Sequence, residues 1–194
     1  MDANTNTLLA ALVVILLLAL AVWLFLRKRN SQDLERRFGP EYGRAIDEHG
    51  SRDKAEAELR ARQKRVEQLH IAPLAPADAQ RFHAEWRALQ GRFVDNPQGV
   101  LADADRLVRE LMQKRGYPMG DFDRRAADIS VDHPQVVSHY RAAHDTAERE
   151  RRGEVDTEGM RQAVIHYRAL FAELLEVAPE PQPASRQHEI RSPS

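Results

Sequence analysis

The stretch NPQGVLADADRLVRELMQKRG, residues 96–116, decides the fold class because it carries a complete set of helix signals. Asn96 and Pro97 form a cap and first-turn pair, and the closing letters KRG supply a basic last turn and a glycine stop. Between these ends the apolar residues share one side of a helix: Val100, Leu101, Ala104, Leu107, Val108, Leu111 and Met112. The stretch therefore predicts an amphipathic helix that packs against other helices.

Three further stretches carry apolar stripes of the same kind. One begins at Pro76, another at Pro134, and the last near Thr157. Their stripes are Ala79, Phe82, Trp86, Leu89 and Phe93; Val136, Val137, Tyr140, Ala143, His144 and Ala147; and Met160, Val164, Tyr167, Phe171 and Leu174. Four such helices predict an all-α fold, with a small helical bundle over residues 75–176 and short connections.

The connection between the helix that ends at Gly116 and the helix that begins at Pro134 covers residues 116–133. It is long for a plain loop inside a compact bundle. Asp121 is a good cap for a short helix that would end at Ala127. Asp132 or His133 would cap the helix that follows. We therefore predict one short extra helix within this connection.

The densest cluster of reactive side chains lies in this connection and just after it. Its members are Arg124, Arg125, Asp128, Asp132, His133, His139 and His144. Histidines and carboxylates can bind Zn²⁺ or Fe²⁺, but His139 and His144 point roughly 140° apart around a helix and do not chelate from one face. We therefore predict no metal and no cofactor, and we take all the members except His139 as a candidate functional surface.

A structural interpretation of the same segment stands beside the functional one. In it, residues 116–133 cross one end of the bundle, and Phe122, Ile129 and Val131 close that end. Asp128 or Asp132 then partners Arg125 or His144, since buried polar groups are normally hydrogen-bonded. The sequence leaves both interpretations open.

The N-terminal region contains nineteen consecutive apolar residues, LLAALVVILLLALAVWLFL, at positions 8–26. A helix of that length measures roughly 30 Å, which is the thickness of a bilayer core. Because Arg27, Lys28 and Arg29 follow the run and no Lys or Arg precedes it, residues 30–194 are expected on the cytoplasmic side. A transmembrane anchor with a basic flank is predicted over residues 1–29; a cleaved signal peptide and the opposite orientation are the alternatives.

Two polar regions complete the division of the chain. Residues 30–74 predict a charged helical region next to the membrane, in which Ser51 caps a helix with a thin apolar side and an exposed, spacer-like character. Residues 177–194 are rich in proline and polar side chains and predict a disordered tail.

Composition narrows the class of function. The absence of cysteine from the sequence excludes disulfides, a thiol nucleophile and cysteine-ligated metals. With 29 basic against 30 acidic residues, the chain lacks the basic field of a nucleic-acid binder. The sequence contains no G-x-S-x-G and no phosphate loop, so we predict that the chain is not an enzyme.

Several long motifs resemble those of a family of bacterial membrane or secreted proteins. They are FGPEY at 38–42, RFVDNP at 92–97, LMQKRGYPMGDF at 111–122, RAADISVDHPQVVSHYRAAH at 125–144 and HYRALFAELL at 166–175. The resemblance implies a bacterial source and an anchor in the inner (cytoplasmic) membrane. It carries no catalytic residue over to this chain.

Taken together, these features predict a membrane-anchored helical protein with a non-catalytic interaction or structural role. Its expected partners are the lipid bilayer, through residues 8–26, and a protein, with self-association included; nucleic acid is not expected. The alternative is a small-molecule or metal sensor that uses residues 116–144.

Overall fold

The computed structural model describes residues 3–175, with side chains from Leu12 onward. Within that range the regular elements are eight α-helices, which confirms the all-α prediction. They are α1 (Ala3–Phe38), α2 (Pro40–His49), α3 (Arg52–Val66), α4 (Pro76–Gly91), α5 (Pro97–Arg115), α6 (Phe122–Asp132), α7 (Val137–Arg151) and α8 (Thr157–Leu174). The predicted disordered tail, residues 177–194, lies outside the described residues.

Across the part of the chain that the structure describes, none of the helices combines the length and the apolar character needed to cross a membrane. The predicted transmembrane helix over residues 8–26 therefore stays a prediction.

The helices form two compact units. Unit 1 comprises Met1–Leu69 and Gly120–Arg141, and unit 2 comprises His70–Met119 and Ala142–Ser194. Helix α7 begins in unit 1 and continues into unit 2. The division of the chain that the sequence suggested, with boundaries at residues 29, 74 and 176, stays a prediction.

Unit 2 is built on α5, which packs against α8 and α4. The apolar stripes predicted for these helices are buried, as expected from their helical spacing, except for Phe93, which is partly buried in the turn after α4. The rings of Trp86 and Phe171 stack with centroids 4.7 Å apart. Asn96 caps α5 by accepting a hydrogen bond from the Gly99 N–H at 3.0 Å, as predicted.

The end of α5 is joined to the rest of unit 2 through Arg115 and Gly116. Arg115 is buried, and it donates to the backbone carbonyls of Leu174 at 3.2 Å and Ala72 at 3.3 Å. Gly116 ends the helix with φ of 99°, a left-handed conformation that favours glycine. The predicted glycine stop is confirmed.

Unit 1 is built on α3, which packs against α2, α6 and the end of α1. Ser51 caps α3, as predicted, by accepting from the Lys54 N–H at 3.4 Å. The core of the unit includes Leu34, Phe38, Tyr42, Ala45, Ala55, Leu59 and Val66. The prediction of an exposed, spacer-like helix here is wrong, because Ala55 and Leu59 are fully buried against the neighbouring helices.

The connection between α5 and α7 contains the predicted extra helix, but α6 is longer than expected. Asp121 caps it, accepting from the Arg124 N–H at 2.7 Å, and the helix continues to Asp132. Neither Asp132 nor His133 caps α7, contrary to prediction. The His133 N–H bonds the Ile129 carbonyl at 2.8 Å and closes α6, and α7 begins only at Val137. Pro134 accounts for the end of α6, because a proline disfavours helical backbone at the residue before it.

Candidate functional site

The residues of the predicted functional surface take different positions in the structure. Arg124 and Asp132 are exposed, and Arg125 is partly buried. Arg125 donates from Nε to the Tyr140 hydroxyl at 3.2 Å and from Nη1 to the Gly120 carbonyl. Arg125 therefore bridges the start of α6 to α7 within unit 1.

Asp128 does not lie on a surface, which corrects its place in the predicted set. It is fully buried on the side of α6 that faces α3. Its Oδ1 accepts a hydrogen bond from Nε of Arg65 at 2.8 Å. The partners predicted from the sequence are Arg125 and His144, whereas the partner in the structure, Arg65, lies 63 positions away.

The two histidines of the predicted set belong to different units. His133 is partly buried where α6 ends, in unit 1. His144 lies in unit 2, where its Nε2 is 3.5 Å from Oε1 of Glu148, one helical turn later. The structure thus places five of the six predicted residues in unit 1, and the use of the set as a binding surface stays a prediction.

The alternative function for this region is a metal sensor. In residues 12–175, no group of three or more histidine, aspartate and glutamate side chains lies close enough together to hold a metal ion. The structure therefore adds nothing in favour of a metal sensor built on residues 116–144.

The structure brings together a polar cluster that the sequence analysis did not identify. At its centre is Glu56, which is buried and lies on the side of α3 facing α1 and α2. We define the Glu56 cluster as Ser31, Tyr42, Arg52, Glu56 and Arg60. Oε1 of Glu56 accepts from the Tyr42 hydroxyl at 2.9 Å, from Arg52 Nε at 3.1 Å and from the Ser31 hydroxyl; Oε2 accepts from Arg60 Nη2 at 3.0 Å.

These hydrogen bonds decide the protonation state of Glu56. Burial by itself would raise the pKa of the carboxyl group, because it removes water from the charged form. Donation from Ser31, Tyr42, Arg52 and Arg60 outweighs burial and lowers the pKa below its ordinary value. Glu56 is therefore a carboxylate at neutral pH, and it acts as a fixed acceptor that joins three helices.

A second buried carboxylate, Glu41 on α2, is held in the same way by arginines. Arg141 of α7 donates to it from Nη2 at 3.1 Å and from Nε at 3.3 Å. The buried Arg62 of α3 lies 3.8 Å away through Nη1. Two donor atoms of Arg141 on the two oxygens of one carboxylate form a bidentate pair, which fixes geometry as well as charge.

Among the described residues of unit 1, three carboxylates are buried, at Glu41, Glu56 and Asp128, and each one contacts at least one arginine. The Arg141–Glu41 and Arg65–Asp128 pairs each join two helices, whereas Arg52 and Arg60 lie on the same helix as Glu56. A buried pair is expensive to break by removing one partner. Most of their oxygens are engaged by donors, which suits a rigid scaffold better than a catalytic centre; Oδ2 of Asp128 is buried without a hydrogen-bond partner among the described residues.

One sequence signal could have revealed the Glu56 cluster. Arg52 and Arg60 flank Glu56 at four positions before and four after, so both can reach one carboxylate along the helix. Glu56 also lies next to Ala55 and three residues from Leu59, close to the thin apolar stripe of α3. The sequence predicts an exposed helix here, because the periodicity of one helix does not say what packs against it.

Comparison of the chain with protein-family models, with curated proteins and with solved structures gives no match.

Proposed function

We propose that this chain is a membrane-anchored helical module that binds a protein partner and does not catalyse a reaction. One observation carries the proposal. Thirteen large apolar side chains between Leu12 and Leu26 are 48–65% exposed on α1, whereas only Val94 and Met119 are exposed large hydrophobic residues elsewhere in the described chain. Contiguous apolar surface of this extent marks a membrane or protein contact.

A bilayer is the covering that fits this segment best. The apolar side chains surround α1 on all sides, and a protein partner would cover one side of a helix more readily than its whole circumference. In the sequence the run starts at Leu8, so it reaches the nineteen residues that a bilayer core requires.

The border of the run has the composition of a membrane interface. The Arg27 guanidinium lies 5.4 Å from the centre of the Trp23 ring, and Lys28 and Arg29 follow. Tryptophan and basic residues concentrate where a helix leaves the hydrocarbon layer, and basic residues stay on the cytoplasmic side. We therefore propose the cytoplasmic membrane of a bacterium as the location, with residues 30–194 inside the cell.

The interaction role follows from how α1 joins unit 1. The helix continues without a break to Phe38, and its last turns are buried through Ser31, Leu34 and Phe38. An anchor that ends inside a folded core holds that core close to the membrane surface, unlike a flexible linker. Such a module is suited to presenting a fixed surface to a partner, a second copy of the chain included.

Anchoring can be tested with one substitution in the run and one outside it. Leu16→Arg should release the protein from membranes on alkaline carbonate extraction, because an arginine at the centre of a span disfavours insertion by roughly 2.5–3.5 kcal/mol. Val94→Arg, at the other exposed apolar position, should leave the protein in the membrane fraction. Extraction of the wild-type chain by carbonate would overturn the anchor.

Orientation and partnership need separate measurements. A C-terminal alkaline-phosphatase fusion should be inactive and a C-terminal fluorescent-protein fusion bright; the reverse pattern would overturn the cytoplasmic assignment. Cross-linking in intact membranes, followed by detergent purification, should recover one discrete partner or a homo-oligomer. Recovery of the chain alone as a monomer would contradict the interaction role.

A further inference from the structure

Unit 1 contains a cleft at the place where α1 leaves its apolar run. The cleft has a volume of about 310 Å³, and it lies between α1 and the beginning of α3. Its lining residues are Leu24, Arg27, Lys28, Ser31, Arg52 and Asp53. One apolar residue, three cations and one acid therefore share a small space whose volume is at the lower end of the range for ligand pockets.

The charge of the cleft favours an anion. Three basic side chains face one carboxylate, that of Asp53, so the lining has a formal charge of +2. The side chains of Arg27 and Arg52 are about half exposed, which leaves part of each guanidinium open to solvent. The N-terminal end of α3, a helix of fifteen residues, adds its partial positive charge.

Tertiary structure, rather than the basic flank, assembles this cleft. Arg52 is 25 positions from Arg27 in the chain, and the Glu56 cluster holds it in place beside α1. Arg27 in turn forms an ion pair with Asp53 at the first turn of α3. Arg29, which belongs to the same basic flank, does not line the cleft.

The position of the cleft along α1, at the end of the apolar run, indicates which anion lies close to it. Leu24 belongs to the apolar run, and Ser31 lies five residues beyond the last apolar residue, Leu26. Five residues of helix measure roughly 7.5 Å, which is close to the thickness of one headgroup layer. If the run spans the bilayer, the cations of the cleft lie beside lipid phosphates and Leu24 lies beside acyl chains.

We propose that this cleft binds the phosphate headgroup of an anionic phospholipid of the phosphatidylglycerol type. Lys28 and Arg52 contact the phosphate, Arg27 is shared between the phosphate and Asp53, and an acyl chain lies along Leu24. This inference rests on the proposed membrane anchor. It goes beyond it, because an anchor by itself requires no particular lipid.

The test compares two neighbouring cations of equal charge. Full-length chain in detergent is mixed with equal amounts of phosphatidylglycerol and phosphatidylcholine, and bound lipid is counted by native mass spectrometry. Lys28→Gln should lower the retention of phosphatidylglycerol about fivefold. This corresponds to a binding free energy of roughly 1 kcal/mol for each basic residue near an anionic membrane surface. Arg29→Gln, which removes the same charge outside the cleft, should leave retention close to that of the wild type.

A second variant tests the contribution of α3. Arg52→Gln should also lower phosphatidylglycerol retention about fivefold, and its thermal unfolding, followed by circular dichroism, identifies any loss that comes from unfolding. Equal losses in Lys28→Gln and Arg29→Gln would overturn the proposal in favour of diffuse attraction to the basic flank. No preference for phosphatidylglycerol in the wild type would overturn it as well.

Two further measurements distinguish a lipid from a soluble phosphate as the ligand, and failure of the lipid site from failure of the membrane anchor. Displacement of the lipid by millimolar glycerol phosphate would assign the cleft to a soluble phosphate and overturn the lipid proposal. Carbonate extraction of the same proteins reports on the anchor alone. A chain that resists extraction but lacks lipid preference refutes only this inference, whereas an extracted chain refutes the anchor and the inference together.

Discussion

Arg65 on α3 donates a hydrogen bond to the fully buried Asp128 on α6 at 2.8 Å, across 63 positions of the sequence. The pair connects two helices of unit 1 that are separated in the chain by the segment His70–Met119 of unit 2. It also removes Asp128 from the predicted functional surface and makes it part of the scaffold.

We expect Arg65→Met to lower the free energy of unfolding by about 3 kcal/mol, because it leaves a buried carboxylate without its cation. The double variant Arg65→Met with Asp128→Leu should lose less than the sum of the single variants, since the two residues are in contact. Denaturant unfolding of the full chain in mild detergent, followed by circular dichroism, measures both. Arg161→Met, in an exposed pair with Glu158, is the control and should change little. Strict additivity would contradict the pairing.

The stacked pair Trp86 and Phe171 should be central to the stability of unit 2. Replacing either by alanine is expected to cost about 3–5 kcal/mol, since each removes a large ring from a packed core. Val94→Ala, at a position 90% exposed, should have almost no effect. Unfolding curves in which both ring variants lose less than about 1 kcal/mol would mean that these stripes face something other than the core.

Gly116→Ala should destabilise unit 2 by at least about 2 kcal/mol. The residue has φ of 99°, and a Cβ added there would lie 2.4 Å from the carbonyl oxygen of His70. Gly43→Ala in α2 is the matched control, because a Cβ there meets no atom within 4 Å. Alanine favours the helix over glycine, so Gly43→Ala should gain about 0.5 kcal/mol. Similar thermal melting of the two variants would show that Gly116 is not required.

The stabilising contribution of Glu56 to the folded protein should decrease at low pH. Its pKa is lowered in the folded protein, so its contribution is fully present above the ordinary carboxyl value of 4.5 and is lost as the pH falls through the lower folded value. Glu56→Gln should therefore be clearly less stable than the wild type at pH 7, and the difference should shrink at pH 3. Glu48→Gln, a change of the same chemistry at an exposed position, should follow the wild-type pH profile. If the stability difference between Glu56→Gln and the wild type is the same at pH 7 and pH 3, the lowered pKa of Glu56 is contradicted.

Unit 1 should fold without the apolar run, but it should be less stable without the end of α1. A chain that starts at Ser31 keeps the buried Leu34 and Phe38, and it should give a helical circular-dichroism spectrum with cooperative melting. A chain that starts at Pro40 loses both side chains and should melt at a lower temperature. Equal melting of the two truncations would mean that α1 is not part of the core.

The candidate site was only partly accessible to sequence reasoning. The concentration of charged residues in residues 116–133 was visible, as was the Asp121 cap, because both are local features. The partner of Asp128 was not, since it lies on a helix far away in the sequence. The Glu56 cluster was missed for the same reason: its acceptor and two of its donors, Arg52 and Arg60, share one helix, but Ser31 and Tyr42 come from two others.

The sequence by itself determined most of the helices of this protein, although α6 ends later and α7 begins later than it predicts. The apolar stripes of α5 and α8, the Asn96 and Ser51 caps and the Gly116 stop depend on residues within a few positions of one another, so local spacing and backbone preference are sufficient. Only the tertiary structure decided which helices share a core: α6 packs on α3 through the Arg65–Asp128 pair, and α3 buries Glu56 against α1 and α2. The physical reason is that an apolar stripe shows only that one side of a helix is to be buried. The neighbour that covers this side depends on packing and charge pairing between residues far apart in the sequence, which the spacing of residues within one helix does not predict.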